Sequence, residues 1–265
     1  MANKIKFNKN SQTVVVITGV SAGIGLEIAK KFIAGGFVVY GLSRSVVELS
    51  GLNHIVCDVS DEQACKMAIE QIETIDILIN NAGMGISGSA ENTEIEDAKK
   101  LFDVNFFGLL NTTKAALPLL REKGGKIVNI SSVGGRIALP FQSIYSSSKA
   151  AVDALSSAMR AELKPHGVQV MTILPGDTKT SFTNHRQKKN DGIYDENCRR
   201  SLAKMEKDEQ NGMSADDVAK VVYRNTLKRR MPPVKTVGFK YKFLTFLAKV
   251  MPTRLVEWVV RKMYG

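Results

Sequence analysis

The sequence predicts an α/β domain in which a parallel sheet is covered by helices on both faces. Short β-branched runs alternate with helical stretches, the first run is continuously apolar, and no linker or internal repeat divides the 265 residues. A continuously apolar strand is typical of a sheet buried on both faces. This length approaches the limit for one hydrophobic core, so we expect a single domain over residues 1–265.

The strands are predicted where β-branched or apolar runs end at glycine or polar residues. In chain order they are Thr13–Ile17, Phe37–Leu42, His54–Cys57, Ile75–Ile79, Lys126–Ile130, Val168–Ile173 and Val234–Gly238. The helices are predicted where apolar residues recur every three or four positions, as Ile24, Ile28 and Phe32 do before Gly35. They are Ile24–Ile33, Asp61–Ile72, Glu94–Glu122, Tyr145–Leu163 and Ser214–Lys228.

Composition excludes several classes of protein. The three cysteines and three histidines have no spacing typical of disulfide frameworks or zinc sites, so we expect reduced thiols and no metal. Apolar runs of about 18 residues and a secretory leader are both absent from the sequence. The expected location is therefore the cytoplasm.

The net charge of +11 is concentrated in the C-terminal segment. Residues 227–265 contain ten lysines and arginines and a single acidic residue, Glu257, whereas the remaining chain is almost neutral. A nucleic-acid partner is not expected, because the body of the domain has no basic surface of its own.

A glycine-rich turn, TGVSAGIG at Thr18–Gly25, joins the first strand to the first helix. Gly19 allows a sharp turn, Gly23 allows the backbone to approach a pyrophosphate, and Gly25 allows the helix to pack on the strand. The N-terminus of the helix would then face the phosphates with free N–H groups. The glycine spacing is GxxxGxG, not the GxGxxG of most dinucleotide-binding folds.

Six further motifs follow this turn in order. They are CDV at Cys57–Val59, NNAG at Asn80–Gly83, DVN at Asp103–Asn105, ISS at Ile130–Ser132, YSSSK at Tyr145–Lys149 and PG at Pro175–Gly176. With the turn, they make residues 13–180 resemble the short-chain dehydrogenase/reductase family. The resemblance implies a Rossmann-like three-layer fold, a nicotinamide cofactor, and oxidoreductase activity on CH–OH donors. It also implies a homodimer or homotetramer.

Tyr145 and Lys149 are four residues apart and would share one face of a helix. A phenol ordinarily has a pKa near 10, and a neighbouring cation favours its phenolate form. The family resemblance implies that Tyr145 is the general acid/base, and that Lys149 tunes it and binds the nicotinamide ribose. A tyrosine–lysine pair without chemical function is the alternative explanation of the spacing.

Ser132 and Asn105 complete the expected catalytic set. The resemblance implies that Ser132 holds the substrate oxygen, because the family's serine stands thirteen residues before its tyrosine; Ser131 is the rival. It implies that Asn105 holds a water in a proton relay to Lys149. The alternative for Asn105 is an amide that only bends its helix.

Arg44 is the residue expected to select the cofactor. The second predicted strand ends without an acidic residue, so a 2′-phosphate would not face a carboxylate, and Arg44 could bind that phosphate. Ser43 or Ser21 would assist it. NADP(H) is therefore the preferred cofactor, with NAD(H) as the second choice because Ala22 stands where the family often has a basic residue.

The remaining cofactor contacts are implied by the resemblance. Asp58 should accept from the adenine amino group, and the PGDTKT segment should hold the carboxamide so that the hydride leaves from the pro-S face. The full expected cofactor set is Gly19, Ser21, Gly23, Ile24, Gly25, Ser43, Arg44, Asp58, Val59, Asn81, Ala82, Gly83, Tyr145, Lys149, Pro175, Gly176, Thr178 and Thr180.

The substrate is expected to be a bulky lipophilic alcohol or ketone, because the candidate pocket residues are apolar. Besides Ser132 and Tyr145, these candidates are Met84, Ile86, Leu139, Phe141 and Phe182. The polar stretch 181–212 is expected to form a substrate lid with a solvated, charged face.

The segment 239–265 is predicted to form an amphipathic, basic C-terminal extension. One helix would place Phe239, Phe243, Phe246, Leu247 and Val250 on one face, and a second would contain Leu255, Val256, Val259, Val260 and Met263. These helices could cover the pocket or an oligomer interface, or they could contact an anionic membrane surface. Such a tail resembles the hydroxysteroid and retinol dehydrogenase branches.

Three functions are consistent with the sequence. The first is NADP(H)-dependent oxidation or reduction of a hydroxysteroid, a retinoid or a similar lipid. The second is reduction of a 3-ketoacyl or 3-ketosphingoid chain. The third is a non-catalytic NADP(H)-sensing protein, which the presence of all four expected catalytic residues disfavours.

Overall fold

The computed structural model describes residues 13–180, 182, 187–188 and 192–264. Its seven-stranded sheet is parallel at every pairing. In chain order the strands are β1 (Val14–Thr18), β2 (Val38–Ser43), β3 (Leu52–Val56), β4 (Ile77–Asn80), β5 (Lys126–Ile130), β6 (Gln169–Leu174) and β7 (Val234–Thr236). Across the sheet the order is β7-β6-β5-β4-β1-β2-β3, so the winding direction reverses between β1 and β4. Such a reversal opens a crevice at the carboxyl ends of the strands.

Helices cover both faces of this sheet. In chain order they are α1 (Gly23–Ala34), α2 (Glu62–Glu70), α3 (Ile95–Phe102), α4 (Gly108–Lys123), α5 (Ser143–Glu162), α6 (Asp195–Gln210), α7 (Ala215–Thr226), α8 (Phe239–Val250) and α9 (Thr253–Tyr264). One core cluster joins the sheet to α2, α4 and α5, and another joins it to α1 and α7. The three layers of the Rossmann-like fold are thus present.

The strand β1 is apolar from Val14 to Ile17 because both of its faces are buried. Val14 and Val16 belong to the core on the α2/α4 side, and Val15 and Ile17 belong to the core on the α1 side. Side chains alternate across a strand, so burial on both faces requires an apolar residue at every position.

Several elements differ from the predicted ones. The predicted helix 94–122 is divided by a π-helical turn at Asp103–Phe107, which lies between α3 and α4. β3 begins at Leu52, two residues before its predicted start, because this edge strand is only partly buried and has a weak hydrophobic pattern.

The predicted lid 181–212 includes a helix packed onto the domain. One side of α6 buries Cys198, Ser201, Leu202 and Met205, while its charged residues are largely exposed. Residues 181, 183–186 and 189–191 of the predicted lid lie outside the described part of the chain.

The predicted C-terminal extension forms two helices, α8 and α9. Neither contains a fully buried residue, so both lie at the surface. Among the helices that the structure describes, none has both the length and the apolar character that crossing a bilayer requires.

Candidate active site

A cavity of about 830 Å³ opens at the carboxyl ends of the sheet strands. Its wall is built by the segments that follow β1, β2, β4, β5 and β6, and by residues of α8 and α9. This is the position where open α/β sheets bind their ligands. The volume is in the range of cofactor and small-molecule sites.

The glycine-rich turn forms one end of this cavity. Gly19 adopts a left-handed φ of 72°, and its N–H donates to the carbonyl of Leu42 at 2.7 Å. A Cβ atom at Gly25 would come within 2.2 Å of the Gly19 carbonyl oxygen, so only glycine fits there. Gly25 therefore allows close packing of α1 against the turn and does not itself line the cavity.

Asn81 holds this turn in place. Its side-chain nitrogen donates to the carbonyl oxygens of Thr18 and Gly19 at 3.0 and 3.1 Å. The Thr18 hydroxyl in turn accepts from the N–H groups of Asn81 and Ala82, each at 3.0 Å. These bonds connect the ends of β1 and β4 at the crevice.

The N-terminus of α1 suits a phosphate. Its N-cap residue is Ala22, which has no capping side chain, and the first turn contains no acidic residue. The N–H groups of this turn are left for an anion, which the positive end of the helix dipole also attracts. Ser21, Gly23 and Ile24 line the cavity at this point. The local chemistry therefore fits a pyrophosphate.

Arg44 and Asp58 lie at the cavity end next to β2 and β3. Burial would raise the pKa of Asp58, but two hydrogen bonds from Ser60 and the charge of Arg44 lower it below its ordinary value. Asp58 is therefore a carboxylate acceptor, as the adenine assignment requires. Arg44 is exposed and lines the cavity.

Ser43 lines the cavity, but its hydroxyl already has two partners. It donates to the Ser45 carbonyl at 2.9 Å and lies 2.8 Å from Nε2 of His54, which ties β2 to β3. Ser21 is exposed at the cavity wall. Of the two serines proposed to assist Arg44, Ser21 is thus the better placed.

Tyr145 and Lys149 lie on one face of α5, as their spacing predicts. The ammonium nitrogen of Lys149 is 5.9 Å from the centroid of the Tyr145 ring and donates to the Ile130 carbonyl at 3.1 Å. Burial lowers the pKa of Lys149 to about 8, against an opposing effect of the Asp153 carboxylate. Both side chains line the cavity.

The two candidate catalytic serines differ in their hydrogen bonds. Ser131 is buried, and its hydroxyl donates to the Lys149 carbonyl at 3.0 Å. Ser132 accepts from the Gly134 N–H at 3.0 Å, which leaves its proton available to a ligand. A Cβ atom added at Gly134 would lie within 3.5 Å of both Ser132 Oγ and the Tyr145 ring. Ser132 and Tyr145 thus flank the same space.

Asn105 is fully buried within the π-helical turn. Its side chain accepts from the Met84 N–H at 2.8 Å and donates to the Met84 carbonyl and to Ser148 Oγ, both at 3.0 Å. The side-chain hydrogen bonds of Asn105 therefore go to residues outside its own helix. An amide that only bends a helix would bond to the backbone of that helix. A Cβ atom at Gly83 would contact both Asn105 Oδ1 and Lys149 Nζ, at 3.2 and 3.5 Å. Asn105 thus lies beside the lysine.

Comparison with known proteins identifies this arrangement. The short chain dehydrogenase family profile matches residues 13–191, more than half of the chain. The chain belongs to the short-chain dehydrogenase/reductase family. A 3-ketodihydrosphingosine reductase from Bacteroides thetaiotaomicron is 36% identical over 264 residues, covering 95% of this chain and 98% of the relative.

Solved short-chain dehydrogenase structures share the fold. A short-chain dehydrogenase from Streptomyces avermitilis superposes with a TM-score of 0.82 at 27% identity, covering 94% of this chain and 97% of the other. A serine dehydrogenase complexed with NADP⁺ has a TM-score of 0.74 at 28% identity, covering 85% of this chain and 94% of the other. This short-chain dehydrogenase is therefore an oxidoreductase that acts on CH–OH donors with a nicotinamide cofactor.

The segment after β6 also lines the cavity and approaches the glycine-rich turn, since a Cβ atom at Gly23 would lie 3.3 Å from the Thr180 Cβ. Pro175, Gly176, Thr178 and Thr180 all belong to the wall, as expected for the carboxamide end of the cofactor. The Thr178 hydroxyl donates to the Gly176 carbonyl at 2.8 Å. Of the expected cofactor set, Val59, Asn81, Ala82 and Gly83 also line the cavity.

The expected substrate residues divide into two groups. Met84, Leu139 and Phe182 line the cavity, and the Phe182 ring lies 5.9 Å from that of Tyr145. Ile86 and Phe141 do not line it, which corrects their assignment. Ile86 is buried in a two-residue strand, and Phe141 adopts a left-handed φ of 60° with its carbonyl bonded to the Gly88 N–H.

The C-terminal helices cover the cavity as a roof, which is one of the two roles expected for them, and their residues had not been assigned to the pocket wall. The structure places ten apolar or aromatic residues of the C-terminal segment in the wall, namely Tyr241, Leu244, Leu247, Ala248, Met251, Val256, Val259, Val260, Met263 and Tyr264. The five predicted residues share one side of α8, but Leu247 at its edge lines the cavity whereas Phe239, Phe243, Phe246 and Val250 are exposed. The spacing of the apolar residues predicts an amphipathic helix, but it does not show that α8 has one apolar face towards the cavity and another towards solvent.

Two tyrosines attach this roof to the body of the domain. Tyr241 Oη donates to Asp177 Oδ2 at 2.5 Å, and Tyr264 Oη donates to Asp208 Oδ2 at 3.1 Å. Burial, followed by the nearby carboxylates, raises the pKa of each phenol. Both tyrosines therefore remain protonated donors at neutral pH.

Proposed function

We propose that this short-chain dehydrogenase is an NADP(H)-dependent reductase of a ketone on a long-chain lipid, with Tyr145 as the general acid/base. The observation that carries the proposal is the shared cavity: Tyr145, Lys149 and Ser132 line the same space as the apolar roof from α8 and α9. A polar reacting centre under an apolar roof suits a lipid with one carbonyl group.

Each polar side chain would have one role in this reaction. Ser132 donates to the carbonyl oxygen of the substrate and orients it towards Tyr145, which gives its proton to that oxygen in the reducing direction. The buried ammonium of Lys149 favours the resulting phenolate and would hold the nicotinamide ribose. Asn105 would position the proton relay behind Lys149. The bound cofactor supplies the hydride.

NADP(H) is proposed as the preferred cofactor, and NAD(H) as the second choice. Arg44 is an exposed cation at the cavity wall, where it can bind a 2′-phosphate through charge-assisted bonds. The similar serine dehydrogenase is a complex with NADP⁺, which supports this preference. The nearby Asp58 carboxylate lowers the net positive charge at the Arg44 end of the cavity. This weakens the preference for a 2′-phosphate, so that NAD(H) is the second choice.

Two carboxylates favour an amine-bearing lipid over a steroid or a retinoid. Asp177 and Glu209 line the cavity among the apolar residues of the roof. Asp177 already accepts from Tyr241, and Lys240 lines the same wall. An ammonium group on the substrate would add a cationic donor to these carboxylates, which a steroid or a retinoid does not carry. A 3-ketosphingoid base carries such a group beside its ketone, and one relative is a 3-ketodihydrosphingosine reductase.

A ketone panel tests the proposal. NADPH oxidation is measured with 3-ketodihydrosphingosine, a 3-ketosteroid, retinal and a 3-ketoacyl thioester. We expect the highest kcat/KM for 3-ketodihydrosphingosine, and a maximum for the steroid or retinal would restore the hydroxysteroid or retinoid assignment. NADPH binding without turnover of any compound would instead support the NADP(H)-sensing function. Size-exclusion chromatography of the same protein tests the expected homodimer or homotetramer.

A further inference from the structure

The helix α8 exposes an apolar stripe on the side that faces away from the cavity. Phe239, Phe243, Phe246 and Val250 are 57–86% exposed. At the helical repeat of about 100° per residue, these four side chains fall within an arc of about 60°. The residues of α8 that line the cavity occupy the adjoining arc of the helix, from Leu247 round to Tyr241.

The helix α9 repeats this arrangement. Leu255 and Trp258 are exposed, whereas Val256, Val259 and Val260 line the cavity. We refer to the exposed apolar residues of both helices as the outer stripe. They are Phe239, Phe243, Phe246, Val250, Leu255 and Trp258. Each helix thus has one apolar face towards the cavity and exposed apolar residues away from it.

Exposed cations accompany the outer stripe. The two helices carry six basic residues and a single acidic one, Glu257; the six are Lys240, Lys242, Lys249, Arg254, Arg261 and Lys262. None of the six forms an ion pair within the part of the chain that the structure describes. The surface therefore combines large exposed apolar side chains with uncompensated positive charge.

We infer that the outer stripe and five of these cations, all except the cavity-lining Lys240, bind an anionic lipid surface, with α8 and α9 lying in its plane. An amphipathic pair of helices with aromatic residues on one side and flanking lysines is typical of interfacial binding. Protein interfaces are depleted in lysine, which makes a second copy of this chain a poorer match. Since no described helix could cross a bilayer, the contact would be confined to one leaflet.

The position of the cavity assigns the lipid contact a role in substrate delivery. This role rests on the proposed function. The same helices form the roof over Tyr145 and would separate the lipid surface from the reacting centre by one layer of helix. A long-chain ketone could then pass from the membrane into the cavity without crossing water, which would otherwise oppose its release.

Vesicle sedimentation tests the contact without any substrate. The full-length protein is mixed with phosphatidylcholine vesicles, with or without phosphatidylglycerol, at low and high salt. We expect binding only to the anionic vesicles and weakening by salt, because a Debye length of about 10 Å at 0.1 M shrinks to about 3 Å at 1 M. The double variant Lys242→Gln/Lys249→Gln should lower the partition coefficient roughly 30-fold, at about fivefold per cation.

Matched variants separate this face from the rest of the surface. Phe243→Ser/Phe246→Ser should abolish vesicle binding, whereas Ile95→Ser/Met67→Ser, which changes exposed apolar residues elsewhere, should not. Arg121→Gln/Lys164→Gln is the charge control. NADPH affinity should be equal in all of them, since none of these residues lines the cavity.

Three results would overturn the inference. They are a parent protein that binds no anionic vesicle, vesicle binding that the tail variants leave unchanged, and a smaller oligomer in Phe243→Ser/Phe246→Ser, which would show that a second copy covers the stripe. Failure of the ketone panel with intact vesicle binding would overturn the proposed function alone.

Discussion

Lys149 and Tyr145 form a pair in which only the lysine is fully buried. The Lys149 ammonium lies 5.9 Å from the centroid of the Tyr145 ring, and its side chain is in the core, whereas the Tyr145 ring reaches the cavity wall. A cation held beside a phenol in a poorly solvated site favours the phenolate more strongly than one in water would. This relationship makes Tyr145 the group on which proton transfer should depend.

Tyr145→Phe should lower kcat by roughly two to four orders of magnitude, because it removes a general acid and keeps the ring. NADPH affinity should remain nearly unchanged. Steady-state kinetics and fluorescence titration of NADPH measure the two effects. Tyr40→Phe, which changes a tyrosine of β2 outside the cavity wall, is the control. Activity of Tyr145→Phe within tenfold of the parent would refute the assignment.

Arg44→Asp should reverse the cofactor preference. A carboxylate at this position would repel a 2′-phosphate and could accept from a ribose 2′-hydroxyl. The measurement is the ratio of kcat/KM for NADPH to kcat/KM for NADH, which should fall by about two orders of magnitude or more. Arg121→Asp, on the far end of α4, should leave the ratio unchanged. An equal effect of both variants would mean that overall charge, and not Arg44, selects the cofactor.

Glu209→Gln tests recognition of the substrate amine. Losing a charge-assisted bond should lower kcat/KM for 3-ketodihydrosphingosine about 10-fold. The same long-chain ketone without its amine should be turned over equally by the parent and the variant. Equal losses on both ketones would show that Glu209 only supports the roof.

Lys126 predicts a pH dependence of stability. This side chain is 1% exposed, and its ammonium donates to the carbonyls of Thr226 and Lys228 at the end of α7. Burial lowers its pKa to about 8, from about 10.5 in an unfolded chain. The cost of burying the charged form is therefore fully present below pH 8 and is relieved as the pH rises towards 10.5.

Denaturant unfolding of the parent and Lys126→Met at pH 7 and pH 10 checks this sign. The free energy of unfolding of the parent should rise relative to the variant by up to about 3 kcal/mol between these pH values. Lys164→Met, at an exposed lysine, should show no such difference. A parent that loses stability relative to Lys126→Met over this range would contradict the direction of the shift.

Much of the fold and of the reacting centre is predictable because it depends on local pattern. The apolar run of β1 must face two cores, Gly25 must meet the Gly19 carbonyl, and Tyr145 and Lys149 share a face by helical geometry. Each of these requirements involves neighbours in sequence or a motif with one backbone solution.

The remaining features depend on contacts between distant segments. The cavity roof arises where α8 and α9 fold back over Gly176 and Asp177, with Tyr241 as the anchor. Periodicity alone does not show which of two apolar faces of α8 points inwards. The positions of Ile86 and Phe141 were wrong for the same reason, since an apolar residue near a motif can belong to the core or to the pocket.

The most direct test of the account is isotope transfer within the cavity. The parent protein is given 3-ketodihydrosphingosine and NADPH carrying deuterium at the pro-S position of C4, and the alcohol is analysed by mass spectrometry. The account predicts one deuterium on the carbon that bears the new hydroxyl, and no labelled product from Tyr145→Phe at matched times. A product without deuterium, or NADPH binding with no product from any ketone, would contradict it.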